Sequence, residues 1–242
     1  MYKTILYLLT STFLAANLST AETNLSLAAP FTNNMILQRQ AEVPVWGFDA
    51  PGSKVTVEFA GQTKTAVTDQ SGDWMVKLSP LKASAVERNF KVKNNHGASI
   101  DLSGVLVGEV WFSSGQSNMV WVAGKSMCRD LARDLSTAEN DIPIREININ
   151  TVSALYPQKK ATSDEGWKKA KEASGFSALS LAFAHELYKE LNVPIGILLS
   201  AHSNTRIEAF TQRQAIEAHP KLKIDQDLIH DGDPLTGQGK KA

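Results

Sequence analysis

The sequence lacks the features that are typical of a disulfide-rich, nucleic-acid-binding or membrane-spanning protein. Its single cysteine, Cys128, cannot form an intramolecular disulfide. Its 25 basic residues balance 25 acidic residues, so the zero net charge offers no electrostatic attraction to nucleic acid or to an anionic membrane. No spacing of histidine, cysteine, aspartate or glutamate is typical of a metal site, and we expect no metal or other cofactor. A neutral or singly charged small substrate suits this composition best.

The chain also lacks a hydrophobic run long enough to span a membrane comfortably. The apolar stretch from Ile5 to Leu18 is interrupted by polar residues at 10–12, follows Lys3 and precedes small residues at 19–21. This pattern is typical of a signal peptide over residues 1–21. We therefore expect an exported protein, periplasmic or secreted, without a stable membrane anchor.

Residues 24–104 form a pattern of short alternating segments separated by turn residues. Six segments have the alternation of half-buried strands: Met35–Leu37, Val43–Phe48, Lys54–Phe59, Thr63–Thr68, Trp74–Leu78 and Asn89–Lys93. Strands of this length and spacing predict a small antiparallel β-sandwich or jelly-roll domain. Trp46 and Trp74 could stack on a sugar ring, but packing in the core is the commoner role of tryptophan on such strands.

The stretch from Val107 to Trp121 combines a buried strand, a tight turn and the start of a helix. The apolar residues up to Phe112 predict a strand covered on both faces, and a helix is predicted from Asn118 to Thr137. Ser117 then lies on the strand-to-helix turn at the carboxyl edge of a sheet, where α/β folds place their chemistry. Capping of the helix is the alternative role for this serine.

The remaining segments of residues 105–242 alternate between strand and helix, which predicts a parallel sheet with helical crossovers. The predicted elements are a strand Ile144–Ile149, a surface loop Ser153–Ser174 that carries Trp167, a helix Phe176–Leu191 and a strand Ile195–Leu199. His185 lies within the predicted helix, where a structural role is the more common one.

Ser114–Met119, following the strand Val107–Trp111, resembles the first motif block of the sialate O-acetylesterase family, a branch of the SGNH hydrolases. Two further stretches, Asp69–Trp74 and Phe176–Leu198, also resemble the family, and the resemblance runs from about residue 24 to about residue 220. It implies a β-domain followed by a flavodoxin-like α/β hydrolase domain with a parallel sheet. It further implies an esterase that removes O-acetyl groups from sugars and uses water as its second substrate.

By this resemblance Ser117 is the nucleophile, and its neighbours Gln116 and Asn118 belong to the oxyanion or substrate-binding site. The turn after the third strand carries His202, Ser203 and Asn204 where the family has a Trp-Gly-Gly sequence. The resemblance implies that a backbone N–H of Ser203 or Asn204 joins that of Ser117 in an oxyanion hole. Asparagine tolerates the left-handed conformation better than serine does, so Asn204 can preserve such a turn more easily than Ser203.

The general base is the part of the site for which the sequence gives the weakest signal. The family places its catalytic aspartate and histidine beyond a further strand. Asp227 and His230 have suitable identities and spacing, but they follow so soon after the third strand that coincidence is the favoured interpretation. The hydrolase domain at 105–242 therefore reads as incomplete, truncated at its C-terminal side relative to the family.

Three functional readings remain open. The first is the sugar O-acetylesterase, and the second is a truncated, non-catalytic relative that at most binds carbohydrate. The third is a general acetylxylan-type esterase, which the same motifs would serve. A sheet cut short exposes an apolar edge, so we also expect a tendency to self-associate.

Overall fold

The computed structural model describes residues 25–152 and 158–218. The predicted signal peptide and the candidate residues Asp227 and His230 lie outside the described residues. Among the helices that are described, none is long and apolar enough to cross a membrane.

The N-terminal half consists of strands whose bounds lie close to those predicted from the alternating pattern. They are β1 Ser26–Leu27, β2 Ile36–Gln38, β3 Val43–Phe48, β4 Lys54–Phe59, β5 Gln62–Val67, β6 Asp73–Leu78, β7 Ser84–Asn94 and β8 Ser99–Gly115. Strands β1, β3 and β6 form an antiparallel three-stranded sheet. Strands β5, β4, β7 and β8 follow one another in a larger sheet.

The two sheets share one hydrophobic cluster, because the alternating strands turn their apolar side chains to the same interior. Val45 of the small sheet and Val57 and Phe90 of the large sheet are all fully buried in this cluster. Trp74 is 3% exposed in the same cluster, and Trp46 packs its ring edge against Phe31 at 4.8 Å between centroids. Both tryptophans therefore have the core-packing role that the sequence favoured.

Strand β8 connects the two halves of the chain. It is 17 residues long and passes through the predicted domain boundary between residues 104 and 105. Its first part pairs antiparallel with β7, and its last part, Glu109–Gly115, pairs parallel with β11. One mixed eight-stranded sheet results, in the order β10-β9-β11-β8-β7-β4-β5, with β2 paired to β8 in addition.

The C-terminal half supplies β9 and β11, which run parallel to the end of β8, and the described helices. Its elements are α1 Ser117–Val120, a 3-10 turn Ala123–Lys125, α2 Arg129–Thr137, β9 Ile144–Asn148, β10 Trp167–Lys169, a 3-10 segment Ala170–Gly175, α3 Ala178–Leu191, β11 Ile195–Ala201, a 3-10 turn Ile207–Phe210 and α4 Arg213–Glu217. Strand β11 lies between β8 and β9 and is parallel to both, as the alternating pattern predicts. Helix α3 packs over these strands through a second hydrophobic cluster that includes Leu181, Ile195 and Ile197.

The prediction of a continuous helix from Asn118 to Thr137 is wrong. Helix α1 ends at Val120, and Trp121 has the extended values φ −65° and ψ 124°. The backbone of this segment bonds to the start of α3: Ala178 N–H donates to the Trp121 carbonyl at 2.7 Å, and Ala123 N–H donates to the Phe176 carbonyl at 2.8 Å. Because these tertiary bonds replace helical ones, the helix is interrupted until α2 begins.

The prediction of a surface loop from Ser153 to Ser174 is also wrong for its last part. Trp167 begins strand β10, which pairs antiparallel with β9, and its side chain is only 5% exposed. The indole Nε1–H of Trp167 donates to the Pro30 carbonyl at 2.7 Å. A buried tryptophan with a satisfied N–H fixes this segment to the N-terminal half.

Candidate active site

The turn that carries Ser117 lies between the end of β8 and the start of α1. Gly115 ends the strand with φ 141°, and a Cβ atom at this position would come within 3.0 Å of Met119 Cγ. The Met119 N–H donates to the Gln116 carbonyl at 2.9 Å and closes the turn. Ser117 is half-buried as the first residue of α1, so the structure has the strand-to-helix turn that the sequence predicts.

The turn after β11 lies beside the Ser117 turn. Strands β8 and β11 are parallel neighbours with Ala201 in register with Gly115, so both strands end at the same edge of the sheet. The His202 backbone N–H donates to the Gly115 carbonyl at 3.0 Å, and Gln116 Nε2 lies 3.4 Å from the Thr205 carbonyl oxygen. The two segments that carry the predicted site residues are therefore joined directly.

The Ser203–Asn204 turn keeps a backbone shape that favours glycine or asparagine. Asn204 has φ 59°, in the left-handed region that asparagine tolerates better than most residues. Ser203 is half-buried and Asn204 is exposed. A single asparagine thus supplies the positive φ in a turn where the family that the sequence resembles has two glycines.

The candidate site lies at an open edge of the sheet. Within residues 25–152 and 158–218, β11 is the only strand paired with Glu109–Gly115 of β8. Two aromatic side chains on this part of β8 are accessible: Trp111 is 43% exposed and Phe112 is 68% exposed. The Trp111 ring also packs edge to face against Phe183 of α3, at 5.1 Å between centroids.

The first turn of α3 supports the strand behind Ser117 through buried polar groups. The hydroxyl oxygens of Ser113 and Ser180 lie 2.7 Å apart. Ser177 caps α3, and its backbone N–H donates to the Glu146 carboxylate, with oxygen distances of 3.1 Å and 3.2 Å. These contacts attach β8 and β9 to the same helix turn.

Glu146 is 4% exposed in the middle of strand β9. Burial raises the pKa of this carboxyl from 4.5 to about 7, against smaller opposing effects of the Ser177 N–H and the positive charge of Lys168. Sequence reasoning missed this residue. The signal was present as a glutamate inside the predicted strand Ile144–Ile149, where an unpaired buried charge is costly.

A serine nucleophile needs a general base, which is most often a histidine. Three histidines lie in the described residues. His96 lies in the turn between β7 and β8, and His185 on α3 lies 3.5 Å from the Glu186 carboxylate. His202 is exposed in the turn that bonds to Gly115, a position that sequence reasoning did not consider for a base. No group of three histidine, cysteine, aspartate or glutamate residues suited to a metal ion occurs in the part of the chain described.

Comparisons with known proteins agree with the resemblance seen in the sequence. No family model matches the chain. It is 29% identical to human sialate O-acetylesterase over 210 residues, which cover 79% of this chain and 39% of that protein. It is 28% identical to the mouse sialate O-acetylesterase over 211 residues, which cover 79% of this chain and 38% of the mouse protein.

One solved structure gives the corresponding likeness in three dimensions. A carbohydrate acetylesterase from Xanthomonas citri matches with a TM-score of 0.71 and 29% identity, over 82% of this chain and 45% of that one. The predicted resemblance to sialate O-acetylesterases is thus confirmed, and the mixed sheet is an α/β fold of the kind found in a carbohydrate acetylesterase. The chain spans 39% of the length of the human relative.

Proposed function

We propose that this chain, which is similar to sialate O-acetylesterases over 79% of its length, carries the nucleophile of a serine esterase that removes O-acetyl groups from sugars. One observation carries the proposal. The Ser117 turn is bonded to the turn of residues 202–205 at the carboxyl edge of two parallel strands. The relatives act as esterases, one on sialate and one on carbohydrate, which supports an acetylated sugar as substrate.

Our proposal for the architecture includes two domains. Residues 24–104 form a β-sandwich domain, and residues 105–242 belong to an SGNH-type hydrolase domain. Two face-to-face sheets with a common core support the first assignment. Export to the periplasm or the medium, proposed from the first 21 residues, would bring such an enzyme to extracellular glycans.

The reaction has two acyl-transfer steps. The Ser117 Oγ attacks the acetyl carbonyl carbon while a base takes the hydroxyl proton, and the carbonyl oxygen becomes an oxyanion. Collapse of this intermediate breaks the bond to the sugar oxygen, which leaves with a proton from the protonated base. Water then attacks the acetyl-Ser117 ester, and acetate is released with Ser117 regenerated.

Backbone N–H groups of both turns stabilise the oxyanion in this proposal. The N–H of Ser117 belongs to the first residue of α1 and has no partner within that helix. An N–H of Ser203 or Asn204 supplies the second donor, while the exposed side chains of Gln116 and Asn118 contact the sugar. Removal of one oxyanion-hole donor typically slows catalysis by roughly a hundredfold or more.

Two histidines are candidates for the base. His230, with Asp227 to orient it, has the spacing found in the sequence. His202 has the support of the structure, because its backbone is bonded to the residue that ends β8, two positions before Ser117. Separate alanine variants of His202 and His230 distinguish the two.

The test is hydrolysis of a chromogenic aryl acetate, an O-acetylated sialic acid and an acetylated xylan by the purified chain. We expect a burst of product, and mass spectrometry of the quenched reaction should find one acetyl group on the peptide that contains Ser117. Ser117→Ala should abolish both signals, and alanine in place of the true base should abolish the burst. The relative rates on the two sugar substrates separate the sialate esterase from the xylan esterase.

Ser114→Ala is the matched control, since Ser114 is a half-buried serine near the end of β8, three residues before Ser117, and has no part in the proposed reaction. A parent protein as inert as Ser117→Ala would contradict the proposal. If the inert protein still bound acetylated sugar in a calorimetric titration, the non-catalytic carbohydrate-binding reading would replace it.

We also propose that the chain self-associates through the open edge of β8. In the part of the chain that the structure describes, no strand pairs with Glu109–Gly115 on the side opposite β11, and the rings of Trp111 and Phe112 are exposed; both observations support this proposal. Sedimentation velocity across a concentration series should show association that Phe112→Lys reduces. A monomer at all concentrations would contradict it.

A further inference from the structure

Both ends of the Ser117 turn are fastened to one place, the first turn of α3. Before the turn, the Ser113 hydroxyl bonds to the Ser180 hydroxyl at 2.7 Å. After the turn, Val122 forms a β-bridge with Ser177, and the Trp121 carbonyl accepts the N–H of Ala178 at 2.7 Å. The position of Ser117 is therefore determined by where this helix begins.

The segment after α1 also packs closely against the residues that lead into α3. A Cβ atom at Gly124 would lie 3.0 Å from both the Cβ and the carbonyl oxygen of Ser174. The Ala123 N–H donates to the Phe176 carbonyl at 2.8 Å. This close approach leaves the segment little freedom to shift independently of the start of α3.

Glu146 holds the start of α3 in place. Both of its carboxylate oxygens lie within hydrogen-bond distance of the Ser177 N–H, at 3.1 Å and 3.2 Å, and both Glu146 and Ser177 are almost fully buried. Strand β9, from which Glu146 projects, is itself fixed between β10 and β11. The contact therefore ties the helix start to the centre of the parallel sheet.

We propose that Glu146 is a positioning residue for Ser117, which acts through Ser177 and the first turn of α3. The proposal rests on the proposed role of Ser117 as nucleophile. Glu146 touches no reacting atom in this view. It sets the place of the helix turn to which both ends of the nucleophile turn are attached.

The surroundings of Glu146 make its protonation state a usable probe. Strand β10 presents Lys168, which is the register partner of Glu146 and forms an ion pair with Glu165. Strand β11 presents the apolar Ile197 in register, and α3 presents Ser177. With one cation nearby and a carboxyl pKa raised to about 7, Glu146 changes charge in a range where most other carboxylates stay ionised.

The test uses Glu146→Gln, which keeps an acceptor oxygen for Ser177, and Glu146→Leu, which removes it. Glu186→Gln is the control, because Glu186 is an exposed glutamate on α3 whose carboxylate forms ion pairs within that helix instead of a bond to Ser177. The first measurement is a pH titration of backbone amide resonances by ¹H–¹⁵N NMR. We expect the amides of Ser177, Ala178 and Ala123 to titrate together with a midpoint near 7 in the parent chain and not in Glu146→Gln.

The second measurement is hydrolysis of an aryl acetate. We expect Glu146→Leu to lower kcat by about tenfold or more with little change in KM, since misplacement of a reacting group affects the chemical step. Glu146→Gln should restore kcat to within about threefold of the parent value, because the acceptor returns. If Glu146 served folding alone, Glu146→Leu would lower the fraction of active protein instead of kcat. The amides of Ser177 and Ala123 would then not titrate together.

The outcomes separate this proposal from the proposed function. If the parent chain is inert but Ala123 titrates with Ser177, the esterase proposal fails while the mechanical link from Glu146 to the Ser117 segment stands. If Ser177 titrates and Ala123 does not, Glu146 only caps α3 and the positioning role is overturned. Should Glu146→Leu fail to fold, the titration with Glu146→Gln still decides the question.

Discussion

The backbone N–H of His202 donates to the carbonyl oxygen of Gly115 at 3.0 Å, at the point where parallel strands β11 and β8 both end. This bond joins the turn that carries Ser117 to the turn that carries Asn204. A backbone change in either turn therefore alters the relative placement of the nucleophile and the proposed oxyanion donors.

Replacement of Asn204 by alanine should reduce both stability and esterase activity. Asn204 has φ 59°, and an alanine in the left-handed region costs roughly 1 kcal/mol, whereas Asn204→Gly should be neutral or better. Urea unfolding and aryl acetate hydrolysis measure the two effects. Asn192→Ala is the control, because Asn192 ends α3 with a similar φ of 49° away from the site. The control should lose stability alone, and equal loss of activity in both variants would contradict a specific role of the 202–205 turn.

Replacement of Gly115 by alanine should affect activity more strongly than stability. The new Cβ atom would meet Met119 Cγ at 3.0 Å, and φ 141° is unfavourable for alanine, so the turn must shift. We expect the rate of Ser117 acetylation to fall by about tenfold or more. Gly97→Ala separates strain from displacement, because Gly97 has φ 92° and open space around its Cβ position. If Gly115→Ala acetylates at the parent rate, the turn geometry does not position the nucleophile.

Arg145 should be among the most sensitive positions for stability. Its side chain is 1% exposed and donates to the Asn34 carbonyl at 2.7 Å, to the Gly104 carbonyl, and to the Glu87 carboxylate at 3.0 Å. Burial lowers the pKa of this guanidinium, but the three acceptors offset part of the desolvation. Arg145→Met leaves the Asn34 and Gly104 carbonyls without this donor, while the exposed Glu87 carboxylate keeps its bond from Lys169. We expect a loss of about 2–4 kcal/mol in urea unfolding.

The exposed residue Arg133 provides the comparison for that experiment. It pairs with Asp130 and Asp134 on the surface of α2, and Arg133→Met should leave the unfolding midpoint unchanged within error. A similar small effect for Arg145→Met would mean that water replaces the guanidinium without cost. That result would contradict the structural role of Arg145 between the two halves of the chain.

The sequence predicts the strands better than it predicts the connections between them. Strands β3 and β4 have the predicted bounds, because their alternation of apolar and polar residues is a local consequence of burial on one face. The interruption after α1 was not predictable in this way. Trp121 and Ala123 leave the helix because their backbone groups bond to α3, which is distant in sequence.

The candidate site was likewise predicted in its local part and not in its tertiary part. The position of Ser117 in a strand-to-helix turn followed from the strand, turn and helix patterns of Val107–Trp121. The support beneath it, from Glu146 through Ser177, depends on three elements meeting in space. No residue spacing along the chain predicts this contact. A glutamate in a buried strand does indicate that a hydrogen-bonding partner for its carboxyl group lies nearby.

Glu146 should make the stability of the folded protein fall as the pH rises. Its carboxyl pKa is raised mainly by burial, from 4.5 to about 7, so the folded state binds this proton more tightly than the unfolded state does. The contribution of Glu146 to the free energy of unfolding is therefore fully present below about pH 4.5 and is lost between about pH 4.5 and about pH 7. Above that range this group causes no further loss. The full difference corresponds to about 3 kcal/mol. Urea unfolding at a series of pH values measures it.

Glu146→Gln removes the titrating group and keeps an acceptor for the Ser177 N–H, so the comparison isolates the charge. The variant should gain stability relative to the parent chain as the pH rises, and the gain should level off above about pH 7. Glu186→Gln should follow the parent curve over the same range, because the hydrogen bond from Lys189 lowers the pKa of Glu186 and keeps it ionised throughout. If the Glu146→Gln and parent curves stay parallel over this range, the folded state does not raise the pKa of Glu146 above its unfolded value. The Ser177 N–H and Lys168 would then stabilise the carboxylate at least as strongly as burial opposes it.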